Sequence, residues 1–143
     1  MYATPADLAA VLGSSHAAIY GSDASAAAAK ANEDLAAAAA EIDGHLARRY
    51  AVPVTAPSAL PLLKDWNLVL AQERAFARAH AQPDFSEKLK RRCDEVRKCL
   101  REAAEGTFAL AAGLAEPEGA SATGMAFVEA APPLFGRERM RGF

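Results

Sequence analysis

Side chains able to do chemistry are few in this sequence and stand apart from one another. The three histidines, His16, His45 and His80, are isolated, and neither the His-Glu-x-x-His nor the Cys-x-x-Cys spacing of zinc ligands occurs. The glycine-rich stretch 119–124 lacks the lysine and the following helix that a phosphate-binding loop requires. We therefore predict no catalytic residue, no metal site and no cofactor, and expect that the protein is not an enzyme.

A basic run at Lys88–Arg92 is the one local pattern that suggests nucleic-acid binding. Acidic residues accompany it four positions away, and these spacings predict a solvent-exposed helix face held by salt bridges: Glu87–Arg91, Asp94–Lys98, Lys98–Glu102 and Arg101–Glu105. Aromatic residues do not alternate with the basic ones, as they do on platforms for single strands. We favour the structural interpretation, and keep as the alternative a small nucleic-acid-binding or regulatory protein that uses the Lys88–Arg101 face.

The overall charge and the two cysteines indicate which environment the chain suits. The net charge is −2, although residues 1–47 carry six acids and one base while residues 48–108 carry eight acids and twelve bases. No apolar run approaches the ~20 residues of a membrane span, and the first residues lack the basic start of a signal peptide. Cys93 and Cys99 lie six positions apart in a helical pattern and point in different directions, so we interpret both as free thiols in a reducing compartment.

Alanine dominates the apolar composition and favours an all-α fold. Of the 143 residues 37 are alanine, whereas valine and isoleucine together number eight. Such a core suits closely packed helices and excludes a β-sandwich. Capping residues, proline breaks and apolar spacing predict a small bundle of about four helices, with approximate bounds 5–12, 24–49, 59–81 and 85–105.

Local signals predict the ends and the buried faces of these helices. Thr4 is expected to cap the first helix, and a polar turn that contains Ile19 and Tyr20 is expected to precede the second. Asp84 or Ser86 should cap the fourth helix, and Gly106 should end it. Apolar spacing predicts that the second helix buries Leu35, Ala39, Ile42 and Leu46, and that the fourth buries Cys93, Val96, Leu100 and Ala103.

The composition changes after the fourth predicted helix. Residues 106–143 hold six of the nine glycines and three of the eight prolines, with no helical stripe. We therefore divide the chain into a helical domain, residues 1–106, and an extended C-terminal arm, residues 107–143. Within the arm, residues 125–129 are the one candidate for a short strand, and such a strand would need a partner's sheet to join.

Three separated motifs resemble the Mu-like prophage family of gene product thirty-six. The first is the opening, Met1-Tyr2-Ala3-Thr4-Pro5-Ala6-Asp7-Leu8. The second, residues 41–53, reads Glu-Ile-Asp-Gly-His-Leu-Ala-Arg-Arg-Tyr-Ala-Val-Pro, with His45 where members of the family carry tyrosine, and Pro57 follows as a second proline. The third is the segment 135–143, Phe-Gly-Arg-Glu-Arg-Met-Arg-Gly-Phe. The resemblance covers the whole chain, with the motifs in the family's order.

The resemblance implies a structural protein of the virion neck. The family is similar to the helical head–tail connectors of long-tailed phages, which form a ring, usually of twelve copies, beneath the portal protein and extend the DNA channel. The partners implied are further copies of the chain, the portal, and the next neck or tail-completion protein, while DNA passes through the lumen without sequence-specific binding. A stopper or tail-completion protein is the nearest alternative. Assembly would take place in the bacterial cytoplasm, with no membrane.

Two groups of residues are candidates for contacts in such an assembly. In the second motif a helical glycine suggests close approach of another helix, within the subunit or across the ring, and opposite charges suggest head-to-tail pairing; these candidates are Glu41, Asp43, Gly44, Arg48, Arg49 and Tyr50. In the arm, apolar residues and alternating arginines suggest docking to the portal or a neighbouring subunit; these candidates are Phe127, Val128, Leu134, Phe135, Arg137, Arg139, Arg141 and Phe143.

Overall fold

The computed structural model describes residues 1–79 and 87–110, and these fold as a helical bundle. Five helices follow one another along the chain: α1 (Pro5–Leu12), α2 (Ser15–Tyr20), α3 (Ala24–Leu46), α4 (Leu60–Arg78) and α5 (Glu87–Glu105). The described ranges contain no strand. The all-α prediction is therefore confirmed.

The first two helices form a short corner that packs against the long ones. Helix α1 begins as the sequence predicted, because the Thr4 hydroxyl accepts from the Asp7 backbone N–H and the Asp7 carboxylate accepts from the Thr4 backbone N–H. Helix α2 was not predicted, since the segment was expected to be a polar turn. It is six residues long, too short to show a period, and it positions Tyr20 with 1% of its surface exposed.

Helix α3 is the central element of the bundle. Asp23 caps it by accepting from the backbone N–H groups of Ser25 and Ala26. Its buried side includes the predicted residues Leu35, Ala39, Ile42 and Leu46. The helix ends at Leu46 and not near residue 49 as predicted, because residues 47–50 form a turn closed by the Tyr50 N–H to Leu46 carbonyl bond at 2.8 Å.

A connector that contains a cis Val52–Pro53 bond leads from α3 to α4. Helix α4 packs along α3, and α5 lies against both. Helix α5 buries the predicted stripe Cys93, Val96, Leu100 and Ala103 and stops at Gly106, whose φ is +82°. The caps predicted for it, Asp84 and Ser86, lie outside the described residues, as does the end of α4 that the sequence placed near residue 81.

The start of the predicted arm belongs to the bundle. The Phe108 ring lies 6.0 Å from that of Trp66 on α4, and Leu110 is 6% exposed. Phe108 and Leu110 therefore pack on the helical bundle, and the division of the chain into a helical domain and an arm stays a prediction. The candidate strand at residues 125–129 lies outside the described residues.

Two buried polar side chains fix the register of the helices. Asn67 on α4 is fully buried and accepts from the Ala3 N–H at 3.1 Å while donating to the Leu35 carbonyl at 3.0 Å. Asp34 on α3 accepts from the Tyr20 hydroxyl at 2.8 Å and from the Arg78 guanidinium at 2.9 Å. Every buried polar side-chain atom in the described ranges has a partner.

Candidate functional site

Glu41, predicted as a subunit-interface residue, lies at the centre of an ion-paired cluster inside the bundle. Its carboxylate accepts from Arg97 Nε at 2.9 Å and from Arg74 Nη2 at 3.0 Å. Arg97 also pairs with Glu73, so that one guanidinium joins α3, α4 and α5. The Glu41 side chain is 22% exposed. Its position shows a role in holding the three helices together, and the interface role stays a prediction.

The charges of this cluster are fixed by their surroundings. Partial burial acts to raise the pKa of Glu41, but the hydrogen bonds from Arg97 and Arg74 outweigh it and the net pKa is lowered. The pKa of Arg97 is raised, first by its hydrogen bond to Glu73 and also by Glu41. Glu41 and Arg97 are therefore both charged at neutral pH, which suits a structural cluster and not acid–base chemistry.

Asp43, the second acidic candidate, binds the N-terminal segment of its own chain. The Tyr2 hydroxyl donates to its carboxylate and accepts from the Val54 N–H at 3.1 Å. Burial, followed by the hydrogen bond to Asp43, raises the pKa of Tyr2 to about 12, so the phenol stays protonated. This bond ties the first residues to α3 and to the connector.

Gly44 has no close neighbour among the described residues of its own subunit. A Cβ added there would have no atom of these residues within 4 Å, and Gly44 is exposed. No helix within residues 1–79 and 87–110 therefore approaches it. Close approach by a second copy stays a prediction.

The two adjacent arginines have different surroundings. Arg48 is exposed and forms no ion pair with any residue in the ranges 1–79 and 87–110. Arg49 lies across Gly106, where an added Cβ would be 1.8 Å from Arg49 Nη1. Tyr50 is 7% exposed and belongs to the core. Arg48 is thus the candidate whose side chain is most available to another molecule, whereas Arg49 and Tyr50 are used within the bundle.

An apolar groove lies beside the connector at the same end of the molecule. We call it the proline groove; it has a volume of about 670 Å³ and is lined by Met1, Tyr2, Pro53, Val54, Thr55, Pro57, Leu60, Pro61 and Lys64. Lys64 pairs with Asp7 at 2.7 Å, and this hydrogen bond, with those from Thr4, lowers the pKa of Asp7 to about 2. Sequence reasoning missed this groove, although the three prolines and the exposed Leu60 were visible signals.

The basic face of α5 is only partly neutralised by the predicted pairs. Of the four pairs within the helix, the structure forms Lys98–Glu102, at 3.8 Å. Arg92 instead reaches Asp65 on α4 at 3.3 Å. Lys88 and Arg91 are exposed near the start of the helix. One of the four predicted pairs is therefore formed, and Arg92 takes its partner from α4 instead.

The part of the chain that the structure describes contains no reactive thiol and no metal-binding cluster. Cys93 is a free thiol, and burial, followed by the charge of Glu73, raises its pKa to about 11, which makes it a poor nucleophile at neutral pH. Cys99 is also free. No group of three metal-ligating side chains occurs within residues 1–79 and 87–110. Every helix in these ranges is too short or too polar to span a bilayer.

The docking candidates of the arm lie outside the described residues. They are Phe127, Val128, Leu134, Phe135, Arg137, Arg139, Arg141 and Phe143. The structure therefore gives the surroundings of the candidates in residues 41–50, whereas the docking role of the arm is predicted from its sequence.

The described residues form a small helical protein in which the buried and half-buried polar side chains bond neighbouring helices to one another. The family model described as Bacteriophage Mu, Gp36 matches residues 2–129. The chain therefore belongs to this phage protein family, as the three motifs indicated. No curated protein and no solved structure matches the chain significantly.

Proposed function

We propose that the protein is a structural head–tail connector of a long-tailed phage or prophage. The observation that carries this proposal is the family match over residues 2–129, which makes the chain a phage protein. The structure supports it in two ways: the cluster of Glu41, Glu73 and Arg97 is engaged in structural bonds, and one end of the molecule exposes apolar surface and an arginine. These features suit a protein that acts by association with other chains.

In this proposal the protein forms a ring, of twelve copies, beneath the portal. A head-to-tail contact between unlike surfaces closes a ring. Several acids of residues 1–47 are already paired with bases of residues 48–108 inside the subunit, namely Asp7, Glu33, Asp34 and Glu41. The contact between subunits would therefore use the charges that these pairs leave exposed. Arg48 is the best-placed candidate on the basic side because it is exposed and forms no ion pair with a described residue. DNA would pass through the lumen without sequence-specific contacts.

The C-terminal arm completes the proposed mechanism by docking to the portal. Its apolar residues and its arginines at 137, 139 and 141 would bind the portal or the adjacent subunit, and the next neck or tail-completion protein would bind the other face of the ring. The chain would thus be a virion component at the head–tail interface.

Size-exclusion chromatography with light scattering tests the association directly. We expect the isolated protein to elute as a monomer or weak oligomer, and to elute with the cognate portal when the two are mixed. If the protein does not bind the portal alone but binds a portal that already carries another connector protein, it would be a stopper or tail-completion protein. A protein that binds neither would contradict the proposal.

A nucleic-acid-binding function is the second candidate, and one observation favours it. Lys88 and Arg91 are exposed in the first turns of α5, where the helix dipole disfavours positive charge. The dipole of the helix therefore does not explain their placement. Binding to duplex DNA in a gel-shift assay, with an affinity that falls steeply as salt rises, would support this candidate; a connector should bind weakly or not at all.

A further inference from the structure

The proline groove contains two of the four exposed large apolar side chains of the described bundle. Four large apolar side chains are exposed in the described residues: Met1 at 58%, Val11 at 50%, Leu60 at 38% and Val52 at 37%. Met1 and Leu60 line the groove, and Val52 directly precedes one of its walls. Its volume of about 670 Å³ lies within the range of cavities that bind small apolar groups. A surface of this kind is typical of a binding site.

The walls of the groove select apolar side chains. Pro53, Pro57 and Pro61 contribute rings and no backbone N–H, so the groove offers few hydrogen-bond donors to a polar ligand or to an added strand. The charged group at its edge, Lys64, is already paired with Asp7. The occupant should therefore insert aromatic or aliphatic side chains between the prolines.

The last described residues before the arm pack against α4, the helix that forms one wall of the groove. Phe108 packs on Trp66, which lies six residues beyond Leu60 on α4, about 9 Å along the helix axis and on its other side. Arg49, near the connector, lies against Gly106 at the same end of the bundle. Gly106 and Phe108 thus lie near the end of the bundle at which the groove is found.

Residues 111–143 contain aromatic and aliphatic side chains and are long enough for these side chains to reach the proline groove. Three of the six phenylalanines are at positions 127, 135 and 143. The segment 134–143 also contains Leu134 and Met140. The 23 residues from 111 to 133 can span up to about 75 Å when extended, whereas passing around α4 requires only a path of the order of its ~10–12 Å diameter. A tether of this length gives an effective concentration in the millimolar range.

We propose that the segment 134–143 binds the proline groove of its own chain in the isolated protein, with Phe135 and Phe143 inserted against the proline rings. The tether favours the chain's own groove over that of a second copy at ordinary protein concentrations. This inference does not depend on the connector function. If the arm also docks to the portal, the portal must compete with the groove for the same apolar residues, which keeps the arm covered until assembly.

Nuclear magnetic resonance of the full chain tests the proposal from both sides. The arm variant Phe135→Ser/Phe143→Ser should shift the amide signals of Val54, Thr55 and Leu60, whereas the matched control Phe127→Ser should leave them in place. Reciprocally, Leu60→Gln should shift the amide signals of Phe135 and Phe143. Its control, Val11→Gln, changes an apolar residue that is 50% exposed and lies outside the groove, and it should not shift them.

Dilution distinguishes the chain's own arm from that of a second copy. We expect the signals of the groove in the wild-type protein to be independent of concentration and the protein to remain monomeric. Groove signals that move on dilution, together with a dimer mass, would assign the occupant to a second copy and overturn the proposal. Identical groove signals in the wild type and in the arm variant would show that the segment does not bind there, whatever the result with the portal.

Discussion

Replacing Glu41 with glutamine should lower the free energy of unfolding of the isolated protein by about 2 kcal/mol. The change keeps the shape of the side chain but removes the charge that accepts from Arg97 at 2.9 Å and from Arg74 at 3.0 Å. A hydrogen bond to a buried charged group contributes about 1.5–3 kcal/mol and an exposed ion pair about 0.2–1 kcal/mol. The carboxylate is 22% exposed and the arginines 34% and 40%, so about 1 kcal/mol per contact is appropriate.

Urea denaturation followed by circular dichroism measures this loss, and Glu33→Gln is the matched control. Glu33 also lies on α3, but its side chain is 67% exposed and reaches Arg78 at 3.3 Å, so its replacement should cost less than about 0.5 kcal/mol. Equal stability of the two variants would refute the structural role of the Glu41 cluster. The carboxylate would then be available for the subunit interface that the sequence suggested.

The difference in stability between the wild type and Glu41→Gln should depend on pH. Because the pKa of Glu41 is lowered in the folded protein from its ordinary value of 4.5, the stability it contributes is fully present above that value. It is lost as the pH falls through the lowered folded-state pKa. The difference in free energy between the wild type and Glu41→Gln should therefore shrink below about pH 4.5, and a difference that grows on acidification would contradict the assigned sign.

Three further substitutions test single positions. Gly44→Leu should leave the isolated protein as stable or more stable by roughly 0.5–1 kcal/mol in a thermal melt, because a Cβ there meets nothing within 4 Å, yet it should block ring assembly; normal assembly would remove the close-approach role. Gly106→Ala should cost about 1–2 kcal/mol in urea denaturation, because φ is +82° and the Cβ would meet Arg49; unchanged stability would contradict this. Arg48→Glu should weaken portal-dependent assembly, as should high salt, and indifference to both changes would indicate an apolar interface.

The parts of the fold that follow from local chemistry could be predicted from the sequence. Thr4, Pro5 and Asp7 define the start of α1 because a capping box involves only neighbouring residues. The stripe of α5 is buried as its spacing predicted, and Gly106 ends the helix because it can adopt a positive φ. Helix α2 was missed because six residues do not complete two helical turns, which leaves no repeat to detect.

The contacts between helices could not be predicted from spacing along one helix. Glu41 was assigned to a subunit interface because its partners, Arg74 and Arg97, lie 33 and 56 residues away. Asp34 was overlooked for the same reason, although it interrupts a stripe of buried alanines at positions 27, 31 and 38. A single acidic residue on an otherwise apolar stripe is the signal that could have revealed a buried partner.

Electron microscopy of the chain co-expressed with its cognate portal tests the central claim most directly. The connector function predicts a closed ring of this chain stacked coaxially beneath the portal ring, with one continuous channel, in negatively stained particles. Portal rings that carry no additional density, with this chain remaining monomeric in the same preparation, would contradict it.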